Sequence, residues 1–249
     1  MSRISDTVKM IPVDFGKLVK HVPNTITCCN LFSGCIATCA GFDGRYQTAF
    51  IFILLAAVFD FFDGFAARML HAYSPIGKDM DSLADIISFG LAPASMVFAI
   101  LYDCLPIDWH NLSYLAFMIV VFSCLRLAKF NIDTRQTTSF LGLPVPANAI
   151  FWASFVYSSN NLFASIYWEY YIILLAIFCY LLVSEWPMFS LKMKNLKWED
   201  NKIQFSFLIS AALIILISRF SVGSLAMVIG IYVLFSIGIH IYNTNKNLQ

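Results

Sequence analysis

The chain has 249 residues, 59% of them apolar and only 12% charged, with a mean hydropathy of +0.74. Globular proteins carry about 25% charged residues, so this balance excludes an ordinary soluble domain and points to a polytopic membrane protein. The net charge of +1 says little in sum; the placement of the charges along the chain says more.

Residues 1–22 mix polar and apolar types and include Arg3, Lys9, Lys17 and Lys20. No signal peptide is evident, and the segment reads as an amphipathic helix lying at the cytoplasmic interface. A spanning helix needs roughly 20 apolar residues. Eight stretches approach that: 23–42, 48–70, 80–102, 112–131, 143–163, 169–185, 203–218 and 221–241. They divide into a transmembrane domain over 23–202 and a C-terminal pair with its tail over 203–249. Of the seven cysteines, Cys104 falls in a loop and the others in apolar runs. None forms a C-x-x-C pair, and they read as small apolar filler. The 24 Phe read as lipid-facing and core bulk rather than a base-stacking platform, so no nucleic-acid partner is expected. Trp109, Trp168, Trp186 and Trp198 fall near the ends of these stretches, as interfacial aromatics do.

Fourteen of the sixteen Lys and Arg lie in or beside the N-terminus, the second, fourth and sixth connections and the C-terminus; the others are Arg45 and Arg219. By the positive-inside rule both termini are cytoplasmic. This topology brings polar residues of five helices to one depth. Asp60, Asp63 and Arg68 lie at the inner end of the second helix, and Asp81 and Asp85 at the inner start of the third. Arg126, Lys129 and Asn131 end the fourth, Pro144, Pro146 and Asn148 open the fifth, and Asn24, Thr27 and Asn30 open the first.

Carboxylates beside hydrocarbon are costly unless they are paired, wetted or bound to a cation. Four of them occur in the pattern D60-x-x-D63-G64-x-x-A67-R68-x8-G77-x3-D81-x3-D85. At helical periodicity Asp60, Asp63, Gly64 and Ala67 share one stripe, and Gly77, Asp81 and Asp85 share another. Few bases lie close enough to pair with four acids. Hard oxygen ligands suit Mg²⁺ or Mn²⁺, and four carboxylates suffice for two ions that clamp a diphosphate. Gly64 and Ala67 lack bulk, so a nucleotide can approach the backbone, and Arg68 can reach phosphate oxygens.

These residues resemble the signature of the CDP-alcohol phosphatidyltransferase family, with all its fixed positions present. The resemblance implies a six-helix catalytic core, here followed by two further helices. It implies that Asp60, Asp63 and Asp81 ligate the metal, that Asp85 is the general base, and that Gly64, Ala67, Arg68 and Gly77, with Lys78 beside them, line the CDP-diacylglycerol site. The run P23-N24-x-x-T27-x-x-N30-x3-G34 looks like the family's first helix, whose Asn24, Thr27 and Asn30 meet the nucleotide. Three further runs, S88-F-G-L-A-P-A94, R126-L-A-K-F-N131 and F140-L-G-L-P-V-P146, look like the family's bacterial, membrane-embedded serine-using branch. Lys129 stands where that branch more often has Arg.

The expectation is therefore transfer of a phosphatidyl group from CDP-diacylglycerol to L-serine, with release of CMP, at the cytoplasmic face of a bacterial inner membrane. Arg126 suits the serine carboxylate and Asn131 the rest of the zwitterion; equally, Arg126 can serve only the positive-inside rule, the better reading for Lys129. A homodimer in contact with membrane lipid is the expected assembly, with the last two helices as scaffold or subunit contact. Rival readings are the same chemistry on glycerol 3-phosphate or inositol phosphate, which asks for more clustered Arg, and a divalent-cation transporter, which asks for acids near the midplane.

Overall fold

The protein was analysed as a computed structural model that describes residues 15–133, 140–162, 168–189, 201–219 and 221–247. Eight helices are found among them: α1 (Phe15–Phe42), α2 (Tyr46–Met69), α3 (Pro75–Cys104), α4 (Ile107–Ile132), α5 (Val145–Leu162), α6 (Trp168–Val183), α7 (Lys202–Ile217) and α8 (Gly223–Asn247). Five of the described helices carry spans long and apolar enough to cross a membrane: His21–Phe42, α2, α3, α4 and Gly223–Ile241. The helices α6 and α7 are apolar but shorter.

The polarity of the bundle is inverted relative to a water-soluble protein. Phe61 and Phe62 are 62% and 49% exposed, while Asp63 beside them is 5% exposed. Asn30, Ser88 and Asn148 are fully buried, whereas Ile51, Val58, Val121 and Leu125 are half-exposed. Such a distribution is stable only where the surroundings are hydrocarbon.

Helix α1 packs along both α2 and α3. Small residues make the second contact possible. A Cβ on Gly34 would sit 2.7 Å from Ser88 Cα and collide with the Ser88 hydroxyl, and one on Gly41 would collide with the Ser95 hydroxyl. Gly34 and Gly41 are seven residues apart, as are Ser88 and Ser95, so one close seam runs along two turns of each helix. Helix α5 lies inside, against α2, α3 and α8. Its Trp152 is fully buried, and its Phe151 stacks on Phe178 of α6 with ring centroids 3.8 Å apart.

Three local features were not foreseen from hydrophobic runs. First, α3 begins at Pro75, five residues before the apolar stretch, because Ser74 caps it: its Oγ accepts from Gly77 N at 3.0 Å, and Pro75 takes the first-turn position. Helix α3 also runs to Cys104, so that cysteine closes a helix rather than lying in a loop. Second, α3 widens into a π-helical turn at Ile86–Leu91, with Ala92 N donating to Ile87 O. Pro93 follows and has no N–H for the ladder, and the wide turn absorbs the break. Third, Phe140–Leu141 (β1) pairs antiparallel with Pro187–Met188 (β2). Gly142 follows with φ +73°, and a Cβ there would lie 2.7 Å from Leu182 O and 2.8 Å from Ser184 O, so only glycine fits against the end of α6.

Helix α1 is already wound at Phe15 and passes through Pro23 without a break. Residues 1–14 of the expected interfacial segment lie outside the described residues, as do Arg135, Lys192, Lys194 and Lys197.

The α1–α3 seam yields a stability prediction. Gly34→Ala should cost about 1–3 kcal/mol, the usual penalty of overpacking, and lower the melting temperature of the purified protein in detergent. An unchanged melting temperature would contradict the seam.

Candidate active site

The site is assembled where the N-terminal halves of α1 and α3 meet the C-terminal half of α2. Helix α2 ends at Met69, His71 turns the chain with φ +49°, and the Ser74 cap starts α3. This tight return lays the two aspartate stripes against each other. Carboxylate oxygens of Asp60, Asp63 and Asp81 then all lie within 4.8 Å of one another. Carboxylates gathered this closely repel one another unless a proton or a cation lies between them. Asp81 Oδ1 is buried with no hydrogen-bond partner.

That donor set fits a divalent metal ion. Three hard oxygen donors converge, one buried lone pair is unused, and like charges are crowded in an apolar bundle. The nearby cation Lys78 does not neutralise them: its ammonium donates to Asn131 O at 3.1 Å. Asp85 is not part of the three-residue group. It lies one turn further along α3, 7% exposed, and accepts from Asn30 Nδ2 at 3.3 Å.

Helix α1 supplies the supporting polar face. Asn24, Thr27 and Asn30 recur every three residues, and each meets a motif residue. The Asn24 amide oxygen would be 2.9 Å from a Cβ on Gly77, so Gly77 lets α1 approach α3. Thr27 Oγ1 is 2.7 Å from Asp63 Oδ2 and 3.1 Å from Pro23 O. One hydroxyl proton serves best at the shorter, charged acceptor. Asn30 holds Asp85, and its backbone oxygen accepts from Ser88 Oγ at 3.1 Å, tying the π-turn to α1.

A cavity of about 270 Å³ opens beside the aspartate group. Asn24, Thr27, Asp63, Gly64, Ala67, Gly77, Lys78 and Asp81 line it, together with Pro23, Ala72, Tyr73 and Ser74. Sequence reasoning named the first eight. The turn residues Ala72, Tyr73 and Ser74 were missed, although the S74-P75 pair was a readable helix start. Arg68 is exposed and does not line the cavity, but its Nη1 would be 3.5 Å from a Cβ on Gly64, at the cavity's edge.

The two residues expected near an acceptor part company. Asn131 donates to Ser82 Oγ at 2.9 Å and so joins α4 to α3. Arg126 is 7% exposed, with its guanidinium 4.9 Å from the centroid of Phe130 and its Nε without a hydrogen-bond partner. It lies within electrostatic reach of Asp85 and of Tyr232 on α8. Sequence reading gave α8 no part near the site; Tyr232 is held there by donating to Phe189 O at 3.1 Å, beside β2.

Comparison with known proteins agrees with this geometry. A family model described as CDP-alcohol phosphatidyltransferase matches residues 20–183. Among curated proteins, the chain is 35% identical over 128 residues to the CDP-diacylglycerol–serine O-phosphatidyltransferase of Bacillus subtilis, covering 51% of this chain and 71% of that protein. It is 36% identical over 140 residues to the archaetidylserine synthase of Methanothermobacter thermautotrophicus, covering 54% of this chain and 57% of that one. It is 39% identical over 142 residues to the CDP-diacylglycerol–serine O-phosphatidyltransferase of Saccharomyces cerevisiae, covering 51% of this chain and 50% of that one. The chain thus spans about half the length of the latter two relatives. With its motif complete and its carboxylates gathered at the mouth of one cavity, the chain belongs to the CDP-alcohol phosphatidyltransferase family.

Proposed function

We propose that the protein transfers the phosphatidyl group of CDP-diacylglycerol to L-serine, forming phosphatidylserine and CMP. The observation that carries this reading is the junction of the three-aspartate group with the cavity lined by Gly64, Ala67 and Gly77, with Asp85 one turn away. The serine acceptor rests on the names of the relatives and on the chemistry of Arg126.

In this reading the cytidine diphosphate enters the cavity beside the bare backbone of Gly64 and Gly77. Arg68 closes on phosphate oxygens from the rim. Asp60, Asp63 and Asp81, with Asp85 as a further ligand oxygen, would hold Mg²⁺ or Mn²⁺, two ions in all. Held by these residues, such cations would offset the charge of the diphosphate and so make CMP a better leaving group. Asp85 takes the proton from the serine hydroxyl, and that oxygen attacks the lipid-side phosphorus. The bond from that phosphorus to the CMP oxygen breaks, and CMP departs. Arg126 holds the serine carboxylate.

The same reading sets the chain in the membrane with eight spans, both termini cytoplasmic, and residues 23–202 as the catalytic domain. The lipid then stays in the bilayer while nucleotide and serine arrive from the cytoplasm. The apolar surface of α7 and α8 is available for a homodimer.

The reading is tested by CMP release from CDP-diacylglycerol with a panel of alcohols. Serine should be the efficient acceptor, ahead of glycerol 3-phosphate and inositol phosphate. Efficient use of a phosphorylated acceptor in place of serine would overturn it. Asp85→Asn should keep the fold and lower turnover by about 100- to 10,000-fold, as loss of a general base does. Turnover within threefold of the unaltered enzyme would remove Asp85 from that role. Thr27→Val takes away the hydrogen bond that orients Asp63. Partners of ligating carboxylates typically matter by about 10- to 100-fold in metal affinity. Mn²⁺ binding by calorimetry should weaken accordingly, and unaltered affinity would show that Asp63 needs no such support.

A further inference from the structure

A second, smaller cavity of about 30 Å³ lies at the end of α4. Arg126 and Lys129 line it from α4, Asp133 from just past the helix, and Ser184 and Glu185 from the end of α6. It is separate from the nucleotide cavity and shares no lining residue with it. Its lining is of mixed charge, with Arg126 and Lys129 on the positive side and Asp133 and Glu185 on the negative. Arg126 is more than nine-tenths buried, and its Nε has no hydrogen-bond partner. Its buried positive charge favours an anion seated in the cavity that it lines. Lys129 is partly spoken for: its ammonium donates to Val183 O at 3.4 Å.

The volume admits about two water-sized groups, which suits the charged end of a small amino acid and not a whole nucleotide. A carboxylate alone would be served by the two cations. It would gain nothing from Asp133 and Glu185, and a phosphate ester would be repelled by them. An acceptor that carries both an anion and a cation uses the entire wall. Arg126 also interacts electrostatically with Asp85, which ties this wall to the proposed general base.

We infer that Glu185 binds the ammonium of the acceptor and thereby selects an amino-acid zwitterion over simple alcohols and phosphorylated alcohols. The inference rests on the serine reading above and names the residue that completes it. Glu185 is exposed at the end of α6, so its replacement leaves the bundle intact.

The test uses the full chain in detergent micelles with CDP-diacylglycerol and Mn²⁺. Glu185→Gln is compared with the unaltered enzyme. The KM for serine should rise about tenfold or more, the usual effect of losing a charge-assisted contact. The KM for CDP-diacylglycerol should not move. Inhibition by 3-hydroxypropionate, which is serine without its amino group, should be unchanged or stronger. An unchanged serine KM in the variant would overturn the inference while leaving the serine reading in place. An equal weakening of serine and 3-hydroxypropionate would also overturn it, since Glu185 would then act only by placing Arg126. Absence of serine-dependent CMP release from the unaltered enzyme would overturn the serine reading and this inference together.

Discussion

Everything around the site where α1, α2 and α3 meet answers to the crowding of carboxylates in an apolar setting. Oxygens of Asp60, Asp63 and Asp81 come within 4.8 Å of one another on helices whose outer faces are phenylalanine and aliphatic. In a medium of low dielectric such like charges repel strongly. The arrangement persists only if a cation or a proton sits among them, and no Lys or Arg fills that place among the described contacts. The nearest ammonium, on Lys78, is turned to Asn131 O. The bundle therefore stores an arrangement whose natural complement is a hard divalent cation and, beyond it, an anionic substrate.

The other features follow from holding that arrangement still. Thr27 and Asn30 donate to Asp63 and Asp85, so two of the four acids are fixed by one face of α1. That face can approach only because Gly34, Gly41 and Gly77 leave room for Ser88, Ser95 and Asn24. The π-turn after Asp85 accommodates Pro93 and presents Ser88 to Asn30 O. Gly142 lets the β1 segment lie against carbonyls at the end of α6, where Ser184 and Glu185 line one cavity with Arg126. Backbone punctuation, by proline and glycine, thus sets where each charged group ends up.

Much of the site was legible in the sequence because helical periodicity is local. Residues three and four apart share a face, so the two aspartate stripes could be read from D60-x-x-D63 and D81-x3-D85 without any knowledge of tertiary structure. The apolar runs likewise located the helices, but not all their ends: α1 is wound from Phe15, α3 from Pro75, and α8 runs on to Asn247. What was not legible depends on long-range meeting. Asn24, Thr27 and Asn30 were expected to face the nucleotide. Thr27 and Asn30 instead spend donors on aspartates 36 and 55 positions away, although Asn24 and Thr27 do line the cavity. Asn131 was paired with Arg126 by proximity in sequence, but the two lie on different faces of α4, one toward Ser82 and the other toward the end of α6. Glu185 and Tyr232 carried no local signal at all, since only the fold brings them to Arg126.

The central claim is that the three-aspartate group is a divalent-cation site. The most direct measurement is anomalous scattering from crystals of the full chain soaked with Mn²⁺. The account predicts a manganese peak bounded by the carboxylates of Asp60, Asp63 and Asp81 at about 2.0–2.2 Å, the distance expected for a hard oxygen donor. It predicts no such peak in Asp81→Asn crystals. A peak elsewhere in the bundle, or a lysine ammonium seated among the three carboxylates, would contradict it.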